Sequence, residues 1–196
     1  ERYISSFVFR STAASFVMTK QPATPRGFPP LLGESPHTLV LGSFPSVASL
    51  AAQQYYAHPR NAFWPIMGML LGFDATLPYP ERTRALTACG IALWDVIASC
   101  HRPGSRDDAI VGPSVEPNDI AGLLIATPTI TRIVTNGTTA ERLFRRHVWR
   151  ALPLALRSRL QVCPAPSTSP AHATRTVAEK TALWRVALGL SGAHAV

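Results

Sequence analysis

Four short, continuous apolar runs most constrain what this chain can fold into: Thr38–Phe44 (TLVLGSF), Gly90–Val96 (GIALWDV), Arg132–Asn136 (RIVTN) and Leu160–Pro164 (LQVCP). Each is separated from the next by a segment long enough to hold a helix, which is the spacing that parallel strands require and hairpins do not. Unbroken apolar runs, rather than alternating ones, suit strands covered on both faces. The expected fold is therefore α/β: a three-layer α/β/α sandwich around a central four-stranded parallel sheet. Helices are expected at Ala62–Leu71, Glu81–Cys89, Pro117–Ala126, Thr139–Trp149 and Thr174–Leu188. In such sheets ligands bind beyond the carboxyl ends of the strands, so the loops after the strands are where a site belongs.

A chain of 196 residues is long enough for one domain with its own core. Residues 21–37 hold five prolines, which fix φ and remove donors, so residues 1–37 read as an extended or disordered lead-in and 38–196 as a single domain. The opening Glu1–Lys20 lacks a compact apolar stretch followed by a cleavage site, and Met18 is the expected natural start. No stretch is apolar for the length a membrane span needs. Three scattered cysteines, Cys89, Cys100 and Cys163, show no paired spacing, so neither a disulfide framework nor a zinc or iron–sulfur site is expected, and a reducing cytoplasm fits.

Net charge is +8, and it resides in arginine, because Lys20 and Lys180 are the only lysines among 19 cations. Arginine forks match phosphate oxygens, so the charge points to a nucleic-acid partner. The helix expected at Thr139–Trp149 sets Ala140, Leu143, Phe144, His147 and Trp149 on one face and Arg142, Arg145, Arg146 and Arg150 elsewhere. Those arginines either hold phosphates or simply form a solvated face.

Two loops carry an unusual density of functional side chains. After the first strand come Gly42-Ser43-Phe44-Pro45-Ser46 and then Tyr55-Tyr56-Ala57-His58-Pro59-Arg60-Asn61-Ala62-Phe63-Trp64. This is neither a phosphate loop nor a dinucleotide fingerprint, and no G-x-S-x-G or H-E-x-x-H motif exists, so triad and zinc hydrolase chemistry are unsupported. Asn61 precedes a helix and is either its N-cap or a site residue. Phe63 and Trp64 belong to the core, and of the adjacent Tyr55 and Tyr56 one is expected to face the crevice. His58 is either a site residue or bonded to a backbone carbonyl. After the last strand, Pro166-Ser167-Thr168-Ser169-Pro170-Ala171-His172 either grips a nucleic-acid backbone or is an ordinary turn.

Taken together, Leu41–Ser46, Tyr55–Trp64, Gly90-Ile91-Ala92-Leu93-Trp94-Asp95, Gly104-Ser105-x-Asp107, Asn136-Gly137 and Pro166–Ala171 resemble the hypoxanthine-DNA glycosylases, or DNA-deoxyinosine glycosylases, of the uracil-DNA glycosylase superfamily. The resemblance runs collinearly from about Thr38 to Leu188. It implies a uracil-DNA glycosylase-like fold and a DNA glycosylase that flips out a deaminated base, hypoxanthine by preference, and hydrolyses its glycosidic bond. It assigns Asn61 of H-P-x-N-x-F-W as the catalytic residue that orients water. Base binding falls to Gly42, Ser43, Phe44, Tyr56, His58 and Asp95, with Asp95 reaching either the base edge or only the scaffold. DNA contacts fall to Pro45, Ser46, Ser167, Thr168, Ser169, Pro170, Ala171 and His172. Relatives holding a four-cysteine iron–sulfur cluster are excluded by the cysteine count, and no cofactor or metal is implied. Strand-cutting glycosylases use an amine, and two poorly placed lysines argue for a monofunctional enzyme that leaves an abasic site. The expected partner is damaged DNA, met by a cytoplasmic monomer working at the nucleoid. Two other readings remain: a uracil or G:T and G:U mismatch glycosylase, and a non-catalytic nucleic-acid-binding domain on the same fold.

Overall fold

The structure, a computed structural model, describes residues 24–190. The readings of Glu1–Lys20, including Met18 and Lys20, lie outside the described residues. Strands β1 (Thr38–Gly42), β2 (Ile91–Asp95), β5 (Arg132–Asn136) and β6 (Gln161–Ala165) form one parallel sheet in the order β2-β1-β5-β6. All four expected runs become strands of this sheet, each within a residue or two of the expected bounds. A second, two-stranded antiparallel pair, β3 (Ile97–Ser99) and β4 (Glu116–Pro117), follows the end of β2.

Alternation along β1 builds the three layers. Leu39 and Leu41 point into one core with Ile120 and Leu124 of α4 (Ile120–Ala126) and Leu143 and Phe144 of α5 (Thr138–His147). Val40 points into the other core with Phe63, Ile66 and Met67 of α2 (Phe63–Leu71), Leu86 of α3 (Tyr79–Ala88) and Trp184 of α7 (Val177–Leu188). Trp184, Phe63 and Phe144 are completely buried, so both faces of the sheet are sealed. Two short helices had no sequence expectation: α1 (Val47–Ala52) and α6 (Leu154–Ser158). The helix expected to begin at Pro117 begins three residues later, after Asp119 caps it by accepting from the Gly122 amide at 2.8 Å.

Residues 24–37 are extended, as their prolines require, but they are not separate from the core. Leu31 exchanges two backbone hydrogen bonds with Leu93, the Gly27 amide donates to Ala98, and the Trp94 indole donates to the Phe28 carbonyl at 3.0 Å. Phe28 and Leu31 pack on the α2/α3/α7 side. The segment covers the otherwise open edge of β2, the common way for a protein to blunt an edge strand.

Candidate active site

A cavity of about 350 Å³ opens at the carboxyl ends of β1, β2 and β5. It is where the sheet predicts a site, and it gathers both rich loops. Gly42, Ser43, Tyr56, Asn61, Asp95, Ser167, Ser169 and His172 all line it. His58 and Pro170 do not. His58 instead accepts a hydrogen bond from the Arg60 amide through Nδ1 at 3.1 Å, so its local partner is an N–H group and not a carbonyl.

The loop after β1 is shaped by three contacts. A Cβ at Gly42 would collide with Oδ1 of Asp95 and crowd the Tyr56 hydroxyl, so the bare backbone lets both side chains close over the strand end. Ser46 caps α1, accepting from the Ser49 amide at 3.1 Å. Arg102, whose side chain is only 2% exposed, donates to the Phe44 carbonyl at 3.4 Å and to the Pro45 carbonyl, and its guanidinium lies 5.0 Å from the Phe44 ring. Phe44 and Pro45 are largely buried yet still line the crevice.

Of the adjacent tyrosines, Tyr55 is the buried one, at 3% exposure, edge-on to Phe28. Tyr56 takes a left-handed backbone, φ 55°, which turns its ring onto Phe63 with centroids 4.0 Å apart and 22° between planes. Tyr56, backed by the fully buried Phe63, thus forms part of the crevice wall. Burial, reinforced by Asp95, pushes the Tyr56 hydroxyl above the ordinary tyrosine range, so it stays protonated. Asn61 stands at the start of α2. The N-cap of α2 is Ala62, which has no side-chain cap bond, so Asn61 is not the N-cap. One residue earlier, its Oδ1 accepts from the Phe63 amide at 3.0 Å in the turn that leads into the helix, its side chain lines the crevice, and a second lone pair of the amide oxygen remains.

The loop after β6 is pinned by Asn136 at the end of β5. The Asn136 amide donates from Nδ2 to Thr168 Oγ1 at 2.9 Å and accepts at Oδ1 from the Thr168 amide at 2.9 Å. The Thr168 carbonyl then accepts from the Ala62 amide at 3.0 Å, tying this loop to the residue after Asn61. Thr168 is 1% exposed, lines the crevice, and engages its polar groups with Asn136 and Ala62 inside the protein. Ser167 lies against Gly137, whose φ of 92° and lack of a Cβ permit the approach. Ser169, Ala171 and His172 line the crevice mouth, and Ala171 is exposed. Lys180 is 5% exposed and donates from Nζ to the His172 carbonyl at 2.7 Å, holding the loop from behind.

Asp95 at the end of β2 is 4% exposed, and its Oδ2 has no hydrogen-bond partner. Burial first, and then the nearby Asp107 carboxylate, push its pKa up to about 7 against the opposing pull of Arg102. Asp107 is better served: Ser43 Oγ donates to its Oδ1 at 2.8 Å and Arg102 lies 3.6 Å away. Three residues of this site had no role in the sequence reading. Asn136 and Asp107 stood within quoted motifs, and the position of Asn136 at a strand's carboxyl end was the signal that singles it out. Nothing local marks Arg102. Among the described residues no three His, Cys, Asp or Glu side chains converge on a common point, and no helix is long and apolar enough to cross a membrane.

No protein-family model matches the chain. The structure is similar to the solution NMR structure of a uracil DNA glycosylase candidate from Methanosarcina acetivorans, with a TM-score of 0.64 and 32% identity over 83% of this chain and 98% of that one. Sheet, crevice and this likeness together define a DNA glycosylase of the uracil-DNA glycosylase type. In sequence the chain is 38% identical over 116 residues to a hypoxanthine DNA glycosylase of Methanosarcina acetivorans, covering 59% of this chain and 72% of that protein. It is 35% identical over 113 residues to a hypoxanthine DNA glycosylase of Methanosarcina barkeri, covering 57% and 70%. The chain belongs to the hypoxanthine DNA glycosylase family.

Proposed function

We propose that this enzyme excises hypoxanthine from deoxyinosine in DNA, with uracil and xanthine as secondary substrates, and leaves an unbroken abasic strand. The convergence of the Asn61 amide, the Tyr56 ring and the Asp95 carboxyl in one crevice carries this reading. A flipped base lies against the Tyr56 ring, which Phe63 backs from the core, because any planar base has a π-face to offer. Cleavage passes through a sugar cation, and the departing base takes up negative charge. The free lone pair of Asn61 Oδ1 accepts from a water and aims it at the anomeric carbon; an amide is a weak base, so orientation is its contribution. The loops at Ser43–Ser46 and Ser167–His172 meet the DNA backbone around the flipped nucleotide.

Water, and no protein amine, is the nucleophile in this account. Lys180 does not line the crevice, and its ammonium is committed to the His172 carbonyl. Duplexes carrying one deoxyinosine, deoxyuridine or deoxyxanthosine, treated with enzyme and then divided into halves with and without hot alkali, test this. Strand breaks only in the alkali-treated half, fastest for deoxyinosine, are expected; breaks without alkali overturn the monofunctional mechanism, and fastest cleavage at deoxyuridine makes this a uracil glycosylase.

Two further outcomes follow from the geometry. Tyr56→Ala removes the stacking face and lowers affinity for lesion DNA by about tenfold or more, leaving undamaged DNA unchanged, as read by fluorescence anisotropy. On α5, Arg145 pairs with Glu141 at 2.9 Å while Arg146 is exposed, and both face solvent. Changing both to Ala weakens binding to damaged and undamaged duplexes alike and lowers the slope of log affinity against log salt by about 1 to 2. An unchanged slope makes this helix a solvated face only.

A further inference from the structure

We propose that Asp107 is a positioning residue that keeps the neighbouring Asp95 carboxyl protonated, so that Asp95 meets the keto oxygen of the flipped base as a hydrogen-bond donor. The inference rests on the glycosylase reading above and adds to it a reason for keto-base selection.

Geometry separates the two carboxyls. Burial pushes the Asp107 carboxyl up as well, but it has what an ionised carboxylate wants to oppose that push: the Ser43 hydroxyl at 2.8 Å and the Arg102 guanidinium at 3.6 Å. Asp95 has neither. It is 96% buried, packed over the bare backbone of Gly42, lines the crevice, and leaves Oδ2 without a partner. When two carboxyls share a site and only one is provided with donors, the proton resides on the other. The remaining groups that act electrostatically on or with Asp95 are Arg102 from the same segment as Asp107, Tyr55 and Tyr56 after α1, and Tyr79 of α3. The tyrosines are all pushed above their ordinary range by burial, so none carries a negative charge near neutrality. Arg102 alone opposes protonation of Asp95, and Asp107 offsets it.

A protonated carboxyl can donate to the 6-keto oxygen of hypoxanthine or xanthine or to a keto oxygen of uracil. An ionised one only accepts, and sets a negative charge against an oxygen that gathers charge as the base departs. Excision of keto bases therefore falls as Asp95 ionises. The pair titrates as a unit, and the step to look for lies near pH 7, where Asp95 passes its midpoint.

The test is the single-turnover excision rate on deoxyinosine DNA across about pH 5.5 to 9, for wild type, Asp107→Asn and Asp95→Asn, with a thermal melt of each. In wild type the rate has an alkaline limb that falls about tenfold per pH unit. Asp107→Asn still accepts from Ser43 but no longer offsets Arg102, so its limb moves toward acid, and at about pH 7.5 it is several-fold slower relative to its own acid plateau than wild type. Asp95→Asn keeps a donor that does not titrate, and its limb disappears whatever its plateau rate. Should Asp107→Asn fail to fold, difference infrared spectra of the wild-type protein decide: a protonated-carboxyl band persisting at pH 6 and absent in Asp95→Asn supports the proposal. Limbs that superimpose in wild type and Asp107→Asn, or a spectrum without that band, overturn it while deoxyinosine excision itself leaves the glycosylase reading standing. Absence of excision at every pH and on every lesion overturns both.

Discussion

Asn61→Ala is expected to lower the single-turnover rate of excision by about a hundredfold or more, while affinity for lesion DNA stays within about twofold. The effect follows from the position of Oδ1, which belongs to the crevice and to the start of α2 at once. Removing it takes away the only amide oxygen that the H-P-x-N-x-F-W segment presents to the cavity, and it also frees the Phe63 amide. The second loss costs about 1 kcal/mol of stability, the ordinary net value of one side-chain-to-backbone hydrogen bond. The two effects separate by temperature. If slow excision is only a consequence of loosening, activity recovers on cooling well below the melting point; if Asn61 orients the water, it does not. Asn61→Asp discriminates further, since a carboxylate retains the acceptor for Phe63 and restores the helix start.

Arg102→Ala is expected to be the most damaging change to the fold around the site, lowering stability by about 3 kcal/mol and excision with it. The guanidinium joins the loop after β1 to the segment after β3 at three points, holding the Phe44 and Pro45 carbonyls and the Asp107 carboxylate, beside the separate Ser43–Asp107 and Val47–Ser105 hydrogen bonds. Its removal leaves two carbonyls without this donor and a carboxylate facing Asp95 without its counter-ion. Denaturant melts measure the first loss. A change within about 0.5 kcal/mol, the range of an ordinary surface substitution, contradicts the clamp assigned to Arg102.

Much of this arrangement was legible in the chain because the sheet is buried on both faces, and burial of that kind writes itself as continuous apolar runs. TLVLG, IALWD and RIVTN fall on β1, β2 and β5 in register, and the carboxyl-end rule then leads to Gly42, Asp95 and Asn136. What escaped the reading was set by tertiary contact. The six residues VASLAA carry no periodic signal of their own, and α1 forms because Ser46 caps it and Ser49 is buried. Glu116–Pro117 becomes a strand only because Ile97–Ser99 lies beside it. The prolines of residues 24–37 keep the segment out of any helix, yet nothing in them names Leu93 as the partner of Leu31. Thr168 is a second case: nothing in its polar loop names the amide of Asn136, 32 residues away, as the partner of its hydroxyl and its backbone N–H. Arg102 is the sharpest case, a charge in a basic chain that reads as one more surface cation until its carbonyl and carboxylate partners are seen around it.

One measurement bears most directly on the assignment of a hydrolytic crevice for a deaminated purine: mass spectrometry of the products after a single turnover on a duplex bearing one deoxyinosine. The expected products are free hypoxanthine and a full-length strand that, relative to the deoxyinosine strand, has lost hypoxanthine and gained one water at the abasic sugar, both absent with Asn61→Ala. An intact deoxyinosine strand held tightly by the wild-type protein, or a strand cut at the lesion without further treatment, contradicts it.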